Sequence, residues 1–239
     1  MINAEFEDLL LSVKPASAEA FYETIYTKCR AVDLSAGAGL DLFRGLASWQ
    51  QRQTDPVLQS YGFLYLSALL DSGQIEPTAL PVGAIEACIV PYVEAASAHH
   101  VLSADGYFIH FMNHMTFFVG SAIEHMSYNY DDRRALVDLL LTIYLDARKN
   151  FSANEELCLA ELILRANLSV DQYTGLLARL VPLSPSGFDG EWLIVTWQNS
   201  NRRNLAMVLH LLGQKVGTLP ARAIADCLDA HSAHYLGAK

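Results

Sequence analysis

The stretch DPVLQSYGFLYLSALL, residues 55–70, decides the fold. Asp55 followed by Pro56 is typical of a helix start, because the carboxylate caps the first turn and proline fits the first helical position. After this start, apolar residues fall on nearly every side of the helix. That distribution is typical of a helix buried in a core. We therefore expect this helix to be central, with other helices packed around it.

Amphipathic helix patterns recur on both sides of this stretch, and no convincing strand pattern occurs. The segment Trp192–Trp197 fits a short strand or a helical turn, and the lack of a partner strand favours helix. The predicted fold is all-α, made of packed antiparallel helical hairpins as a HEAT-like α-α superhelix or a large helical bundle. The other expected helices lie near residues 3–13, 17–32, 42–49, 82–96, 131–143, 205–212 and 224–235, and two more are expected to begin after Ser152 and Ser169.

Specific residues predict where several of these helices start or break. Pro91 lies inside the helix expected over Val82–Ala96, so we expect a kink or an interruption there. Ser152 with Glu155, and Ser169 with Gln172, have the spacing of capping boxes. We expect one domain over residues 1–239, with the turn-rich stretch Pro182–Gly190 as a weak candidate boundary.

Composition places the chain among globular proteins. Hydrophobic residues make up 52% and charged residues 18%, which is far from the disordered class. Four widely spaced cysteines predict reduced, buried thiols rather than a disulfide framework. The acidic N-terminal residues do not resemble a signal peptide, and the most apolar window, Tyr107–Met126, contains polar residues that are costly in a bilayer. We therefore expect a cytoplasmic protein that does not insert into membranes.

Negative charge is concentrated in the middle of the chain. The formal net charge is −10, and no Lys or Arg occurs between Gln53 and Asp132. Such a segment repels nucleic acid and attracts a basic protein partner, although acids at helix ends also serve simply as caps. The nine acids of this segment are Asp55, Asp71, Glu76, Glu86, Glu94, Asp105, Glu124, Asp131 and Asp132.

Five histidines lie in the same acidic segment. Neighbouring negative charge favours the imidazolium form, so we expect some of their pKa values to exceed about 6.5 unless burial dominates. They are His99, His100, His110, His114 and His125.

One further helix, expected over Asp105–Tyr128, carries the candidate site. At about 100° per residue, one face is apolar and is expected to join the core, whereas the other is expected to line a polar groove. The core face contains Phe108, Met112, Met115, Val119, Ile123 and Met126. The groove residues are Tyr107, Asn113, Phe117, Ser121, Glu124 and His125, beside His110 and His114.

His110 and His114 are spaced i, i+4, so both could bind one zinc or another divalent metal ion. A catalytic site needs a third ligand, for which Glu124, Asp105 and Glu155 are candidates. In that hypothesis the chain is a metal-dependent hydrolase, with Glu155 or Glu156 as ligand or base. The alternative is that both imidazoles form hydrogen bonds with neighbouring helices.

A second, weaker pattern is the pair Arg202 and Arg203, which is flanked by asparagines. These residues could hold an anion at the start of a helix, or they could belong to a solvated helix end. The chain contains no Gly-rich phosphate-binding motif and no GxSxG nucleophile motif.

Three short segments resemble a bacterial family of uncharacterised helical proteins, domain of unknown function 2785. They are Phe108-Ile-His110 with His114, Glu155-Glu156-Leu-Cys-Leu159-Ala160, and Asn204-Leu205. The resemblance covers roughly residue 47 to the C-terminus. It implies a HEAT-like stack of helical hairpins and implies no activity.

Three functions remain open from the sequence. The first is a binding or scaffold protein that uses the polar groove. The second is the metal-dependent hydrolase, and the third is an acidic inhibitor or immunity-type protein that binds a basic partner.

Overall fold

The computed structural model describes residues 4–31, 37–98, 103, 105–107, 109–146, 151, 153–184, 192–216 and 220–236. Within these ranges the chain is helical and has no strand, which confirms the all-α class. None of the described helices is long and apolar enough to cross a membrane. The helices are α1 Ala4–Leu11, α2 Ala18–Ala31, α3 Ala38–Arg52, α4 Pro56–Asp71, α5 Val82–Ile89, α6 Val93–Ala98, α7 Phe111–His125, α8 Tyr130–Leu145, α9 Glu155–Arg165, α10 Val170–Ala178, α11 Trp192–Val216 and α12 Ala221–Leu236.

The chain divides into two compact units. Unit 1 comprises Met1–Ala95 and His99–Tyr128, and unit 2 comprises Ala96–Ala98 and Asn129–Lys239. The single domain stays a prediction, and most of the candidate boundary at Pro182–Gly190 lies outside the described residues. HEAT-like repetition also stays a prediction.

In unit 1, α4 is the central helix, as its sequence predicts. Asp55 caps it, because its carboxylate accepts hydrogen bonds from the backbone N–H groups of Val57 at 2.8 Å and Leu58 at 3.3 Å. The helix packs against α2, α3 and α7. Phe63, with no exposed surface, lies in the resulting aromatic core and contacts Tyr92 edge-on, at a ring-centroid distance of 5.4 Å.

Two glycines allow close helix contacts in unit 1. Gly39 lies in the first turn of α3 against the backbone carbonyl of Gln74, and a Cβ atom there would collide with that carbonyl. Gly62 of α4 lies against the side chain of Gln50 in the same way. Gln50 is also fixed, because its amide donates a hydrogen bond to the carbonyl of Gln59 at 2.7 Å.

The helix predicted over Asp105–Tyr128 is shorter than expected, so that prediction was wrong at its start. α7 begins at Phe111, and His110 precedes it with φ −109° and ψ 50°, outside the helical region. A turn occupies the preceding residues: Gly106 has a positive φ of 81°, and the Ser103 N–H donates to the Tyr107 carbonyl at 2.8 Å. These groups are therefore not available for helical hydrogen bonds.

Other predicted helix boundaries agree well with the structure. The helix containing Pro91 is interrupted by a 3₁₀ turn at Val90–Tyr92, as expected. Ser169 and Gln172 form the predicted capping box. Ser152 lies outside the described residues, and the side chain of Glu155 accepts its hydrogen bond from the Ala153 N–H.

In unit 2, α11 is central and packs against α8, α9 and α12. It is a single helix of 25 residues, so the segment Trp192–Trp197 is helical, as favoured above. Arg202 and Arg203 therefore lie in the middle of a helix, and the prediction of a helix start at these residues was wrong. The adjacent Asn201 is fully buried, and its side-chain oxygen accepts a hydrogen bond from the Phe151 N–H at 3.1 Å. Asn201 thus satisfies a buried backbone N–H group. It does not belong to a solvated helix end, which was the other expectation for this segment.

The close approach at Gly39 predicts a sharp difference between two Gly→Ala substitutions in unit 1. Gly39→Ala should lower the free energy of unfolding by about 1–3 kcal/mol, because the added methyl group has no room beside the Gln74 backbone. Gly83→Ala in α5 is the control, because a Cβ there meets no atom within 4 Å. Urea unfolding measures both variants. Equal stability of the two would contradict the close packing of α3 against Gln74.

Candidate functional site

The predicted groove residues differ widely in exposure. Asn113, His114 and Ser121 are buried, and His110 and His125 are partly exposed. Tyr107 at 37%, Phe117 at 51% and Glu124 are exposed. The polar side of α7 is therefore not an open groove along its whole width, because Asn113, His114 and Ser121 are buried within it. On the opposite side, the predicted core residues Met112, Met115, Val119, Ile123 and Met126 are buried, and Phe108 lies outside the described residues.

Two side-chain hydrogen bonds hold the buried part of this polar side against α4. The Ser60 hydroxyl lies 2.9 Å from Nδ1 of His114, and the Ser67 hydroxyl lies 2.6 Å from that of Ser121. We call these four residues the polar seam. Since all four are buried, the hydrogen bonds satisfy groups that would otherwise be costly to remove from water.

Burial is the main reason that the His114 side chain is neutral. Burial and, to a smaller extent, the nearby His110 lower the pKa of His114 to about 3, whereas a hydrogen bond to the backbone of Ser60 acts in the opposite direction. The ring also lies edge-on to Tyr61, at a centroid distance of 4.9 Å. His114 is therefore a neutral imidazole between two helices at neutral pH. For this histidine burial outweighs the neighbouring negative charge, which is the exception that the expectation of raised pKa values allowed for.

The candidate metal ligands are not brought together among the described residues. The rings of His110 and His114 are neighbours, with centroids 5.7 Å apart. Glu124, however, lies ten residues beyond His114, which is about 15 Å along a helix axis. No described group of three or more His, Cys, Asp or Glu side chains is arranged to hold a metal ion. The geometry gives no support to the zinc site or to a hydrolase built on it.

The solvent-facing side of α4 lies between α7 and α2. Beyond the first turn of α4, three residues are not fully buried: Tyr61, Leu64 and Asp71. At about 100° per residue, Ser60 and Ser67, which face α7, lie on one side of these three residues. Tyr65 lies on their other side and faces α2, because its hydroxyl donates to the carbonyl of Ala18 at 2.9 Å. The three residues thus form the floor of a surface that α2 and α7 flank.

Acidic residues of α2 and α4 lie close enough to two tyrosines of this surface to raise their pKa values. Burial raises the pKa of Tyr22, and the charges of Asp71 and Glu23 raise it further. Burial also raises the pKa of Tyr61, and so does the charge of Glu19. The tyrosines and carboxylates of α2 and α4 are therefore intermixed.

The exposed residues of α7 continue the same surface. Phe117 and Glu124 lie beside the turns that contact α4, and His125 Nε2 lies 3.3 Å from Asp71 Oδ1. We call the combined surface the acidic aromatic face. Its residues are Glu19, Tyr22, Glu23, Tyr61, Asp71, Phe117 and Glu124.

Sequence reasoning identified only the α7 part of this face. The contributions of α2 and α4 were missed, although Glu19, Tyr22 and Glu23 lie opposite the core stripe of Phe21 and Ile25. That spacing places the three side chains on two successive turns of one helix face. Nothing in the sequence indicates which helix lies beside them.

The two units differ in net charge. Unit 1 contains fourteen acidic and five basic residues, whereas unit 2 contains twelve acidic and eleven basic residues. Nearly all of the net charge of −10 therefore belongs to unit 1, which carries the acidic aromatic face.

Comparison with family models, with curated proteins and with solved structures finds no match. The resemblance to the bacterial helical family therefore stays a prediction.

The buried His114 predicts acid sensitivity of folding. Its folded pKa of about 3 lies below the ordinary histidine value of 6.5, so the unfolded chain binds the proton more readily between these values. The free energy of unfolding should therefore fall as the pH drops below about 6.5, by up to about 1.4 kcal/mol per pH unit from this residue. His114→Gln should reduce this slope. Urea unfolding at several pH values between about 7 and about 4, roughly where histidine titrates, measures this pH dependence of the free energy of unfolding.

His125→Gln is the matched control, because His125 is one-third exposed, at 33% of its side chain. That variant should keep the slope of the wild-type protein. If His114→Gln leaves the slope unchanged as well, other groups cause the acid sensitivity and His114 is not the buried neutral imidazole described above.

Proposed function

We propose that this chain is a non-enzymatic binding or scaffold protein, and that the acidic aromatic face of unit 1 binds a basic segment of a protein partner. The observation that carries the proposal is the exposure of Phe117. Its side chain is 51% exposed in the middle of a helix whose other large apolar residues are buried. Aromatic residues, Phe among them, are enriched at protein–protein interfaces.

The charges beside Phe117 define the chemistry of the partner. The face carries four carboxylates, and the only cationic group that the sequence offers between Gln53 and Asp132 is protonated histidine. Such a surface attracts Lys and Arg side chains and accelerates their encounter. Tyr22, Tyr61 and Phe117 add ring faces on which a guanidinium or ammonium group is favourable. A basic segment with one or two apolar residues matches both features.

The same charges argue against nucleic acid as a partner, because a phosphate backbone would meet mainly carboxylates. We also propose that the protein acts in the cytoplasm. The four cysteines support this location, since all are free thiols and burial raises their pKa values, to about 11 for Cys29, Cys158 and Cys227 and to about 12 for Cys88. Protonated thiols of this kind are unreactive.

A peptide titration tests the proposed function. The probe is a peptide of about 14 residues with about equal Lys and Leu content, which is long enough to form a helix that lies in a groove. Its binding is measured by ¹⁵N NMR of the full chain. The comparison peptide has Glu in place of each Lys. The Lys peptide should shift resonances of α2, α4 and α7. Its affinity should fall roughly tenfold or more between 50 and 300 mM salt, because the screening length shortens.

Phe117→Ala should weaken binding of the Lys peptide by about fivefold or more, which is the effect of losing an interface anchor. The control is Leu211→Ala in unit 2, where the side chain is also exposed, at 59%. Equal binding of the Glu peptide would contradict the proposal. So would shifts centred on unit 2, or full affinity in the Phe117→Ala variant.

A further inference from the structure

Unit 2 contains an open cavity of about 460 Å³, and none of its lining residues belongs to the acidic aromatic face. It lies where the C-terminal ends of α8 and α10 meet the middle of α11. Its walls combine two guanidinium groups with aliphatic side chains. The lining includes Leu145, Asp146, Arg179, Val181, Leu183 and Arg202.

Arg202 is an unusual cavity residue because it is almost fully buried, with 6% of its surface exposed. Its Nη1 donates to the carbonyls of Leu145 at 3.1 Å and Gln198 at 3.2 Å, while its Nε–H is buried without an acceptor. Burial lowers the pKa of this guanidinium. A buried cation whose hydrogen bonds go to carbonyls and not to a carboxylate is costly for the fold.

Arg179 adds a second positive group to the same cavity. It pairs with Asp138, with Nη1 and Oδ1 3.0 Å apart, and its Nη2 donates to the Thr142 hydroxyl at 2.8 Å. These contacts fix its orientation. After burial, the charge of Asp146 has the larger effect on the pKa of Arg202 and raises it, whereas the charge of Arg179 lowers it to a smaller extent.

The aliphatic wall of the cavity is held in place by α11. Asn199 accepts a hydrogen bond from the Leu183 N–H at 2.7 Å and donates one to the Leu183 carbonyl at 3.0 Å. Val181, 43% exposed, and Leu183, 37% exposed, therefore present fixed apolar surface beside the two arginines. A fixed apolar wall next to a few polar groups is typical of a small-molecule site.

We propose that this cavity binds a small organic monocarboxylate. The carboxylate would pair with the Arg202 and Arg179 guanidinium groups that line the cavity. The aliphatic part of the ligand would contact Val181 and Leu183. Asp146 and the carbonyl end of α8 add negative charge nearby, so a multiply charged phosphate would bind less well.

NMR of the arginine Nε–H groups tests this proposal on the full chain. Hexanoate is the probe, hexanamide is the neutral comparison of the same shape, and inorganic phosphate is the anion without an aliphatic part. Hexanoate should shift the Arg202 Nε–H resonance and saturate in the millimolar range. Hexanamide and phosphate should bind about tenfold more weakly (one charge-assisted contact).

Arg179→Gln should weaken hexanoate binding about five- to tenfold, because one charged contact is lost. Arg165→Gln is the control: it removes another arginine of unit 2 whose side chain is 66% exposed, and affinity should not change. Equal binding of hexanamide would show that only the apolar wall matters and would overturn the proposal. Equal or tighter binding of phosphate, an unshifted Arg202 Nε–H, or full affinity in Arg179→Gln would also overturn it.

Discussion

The contact between α4 and α7 determines both the interior and the surface of unit 1. Ser60 with His114 and Ser67 with Ser121 connect the two helices at points two turns apart on each. Serine hydroxyls on a mostly apolar helix would be costly in a core if they had no partner. Because both pairs are complete, α4 can be buried on nearly all sides and still fix the rotation of α7 about its axis.

That rotation decides which residues of α7 reach solvent. With His114 and Ser121 turned towards α4 and the methionines turned into the core, Phe117 and Glu124 are left outside. The same arrangement places Tyr61 and Asp71 of α4 between α7 and α2. The acidic aromatic face is thus a direct consequence of the polar seam, and its partner chemistry follows from residues that three helices contribute.

Local sequence signals proved accurate for what they encode. The Asp55-Pro56 start, the interruption at Pro91 and the capping box of Ser169 are interactions within one turn, so spacing alone predicts them. The start of α7 was missed because a turn competes there: Gly106 adopts a positive φ, and Ser103 and Tyr107 hydrogen-bond to each other.

The exposure of the polar residues was harder to predict, for a physical reason. A helical wheel divides α7 into an apolar and a polar side, but it cannot show that α4 offers hydroxyl groups to the polar side. His114 was therefore expected in a groove, whereas it is neutral and buried. Arg202 was misplaced similarly, since its environment comes from α8 and from the loop after α10, far from it in sequence.

The rotation of α7 is the central claim, and thiol accessibility measures it most directly. Phe117→Cys and Ser121→Cys differ by four residues on one helix, and a maleimide reagent with peptide mass spectrometry gives the labelling rate at each. The account predicts that the thiol at position 117 reacts about a hundredfold or more faster, because position 121 becomes accessible only through local opening. Equal rates at the two positions would show that the polar side of α7 faces solvent and would contradict the polar seam.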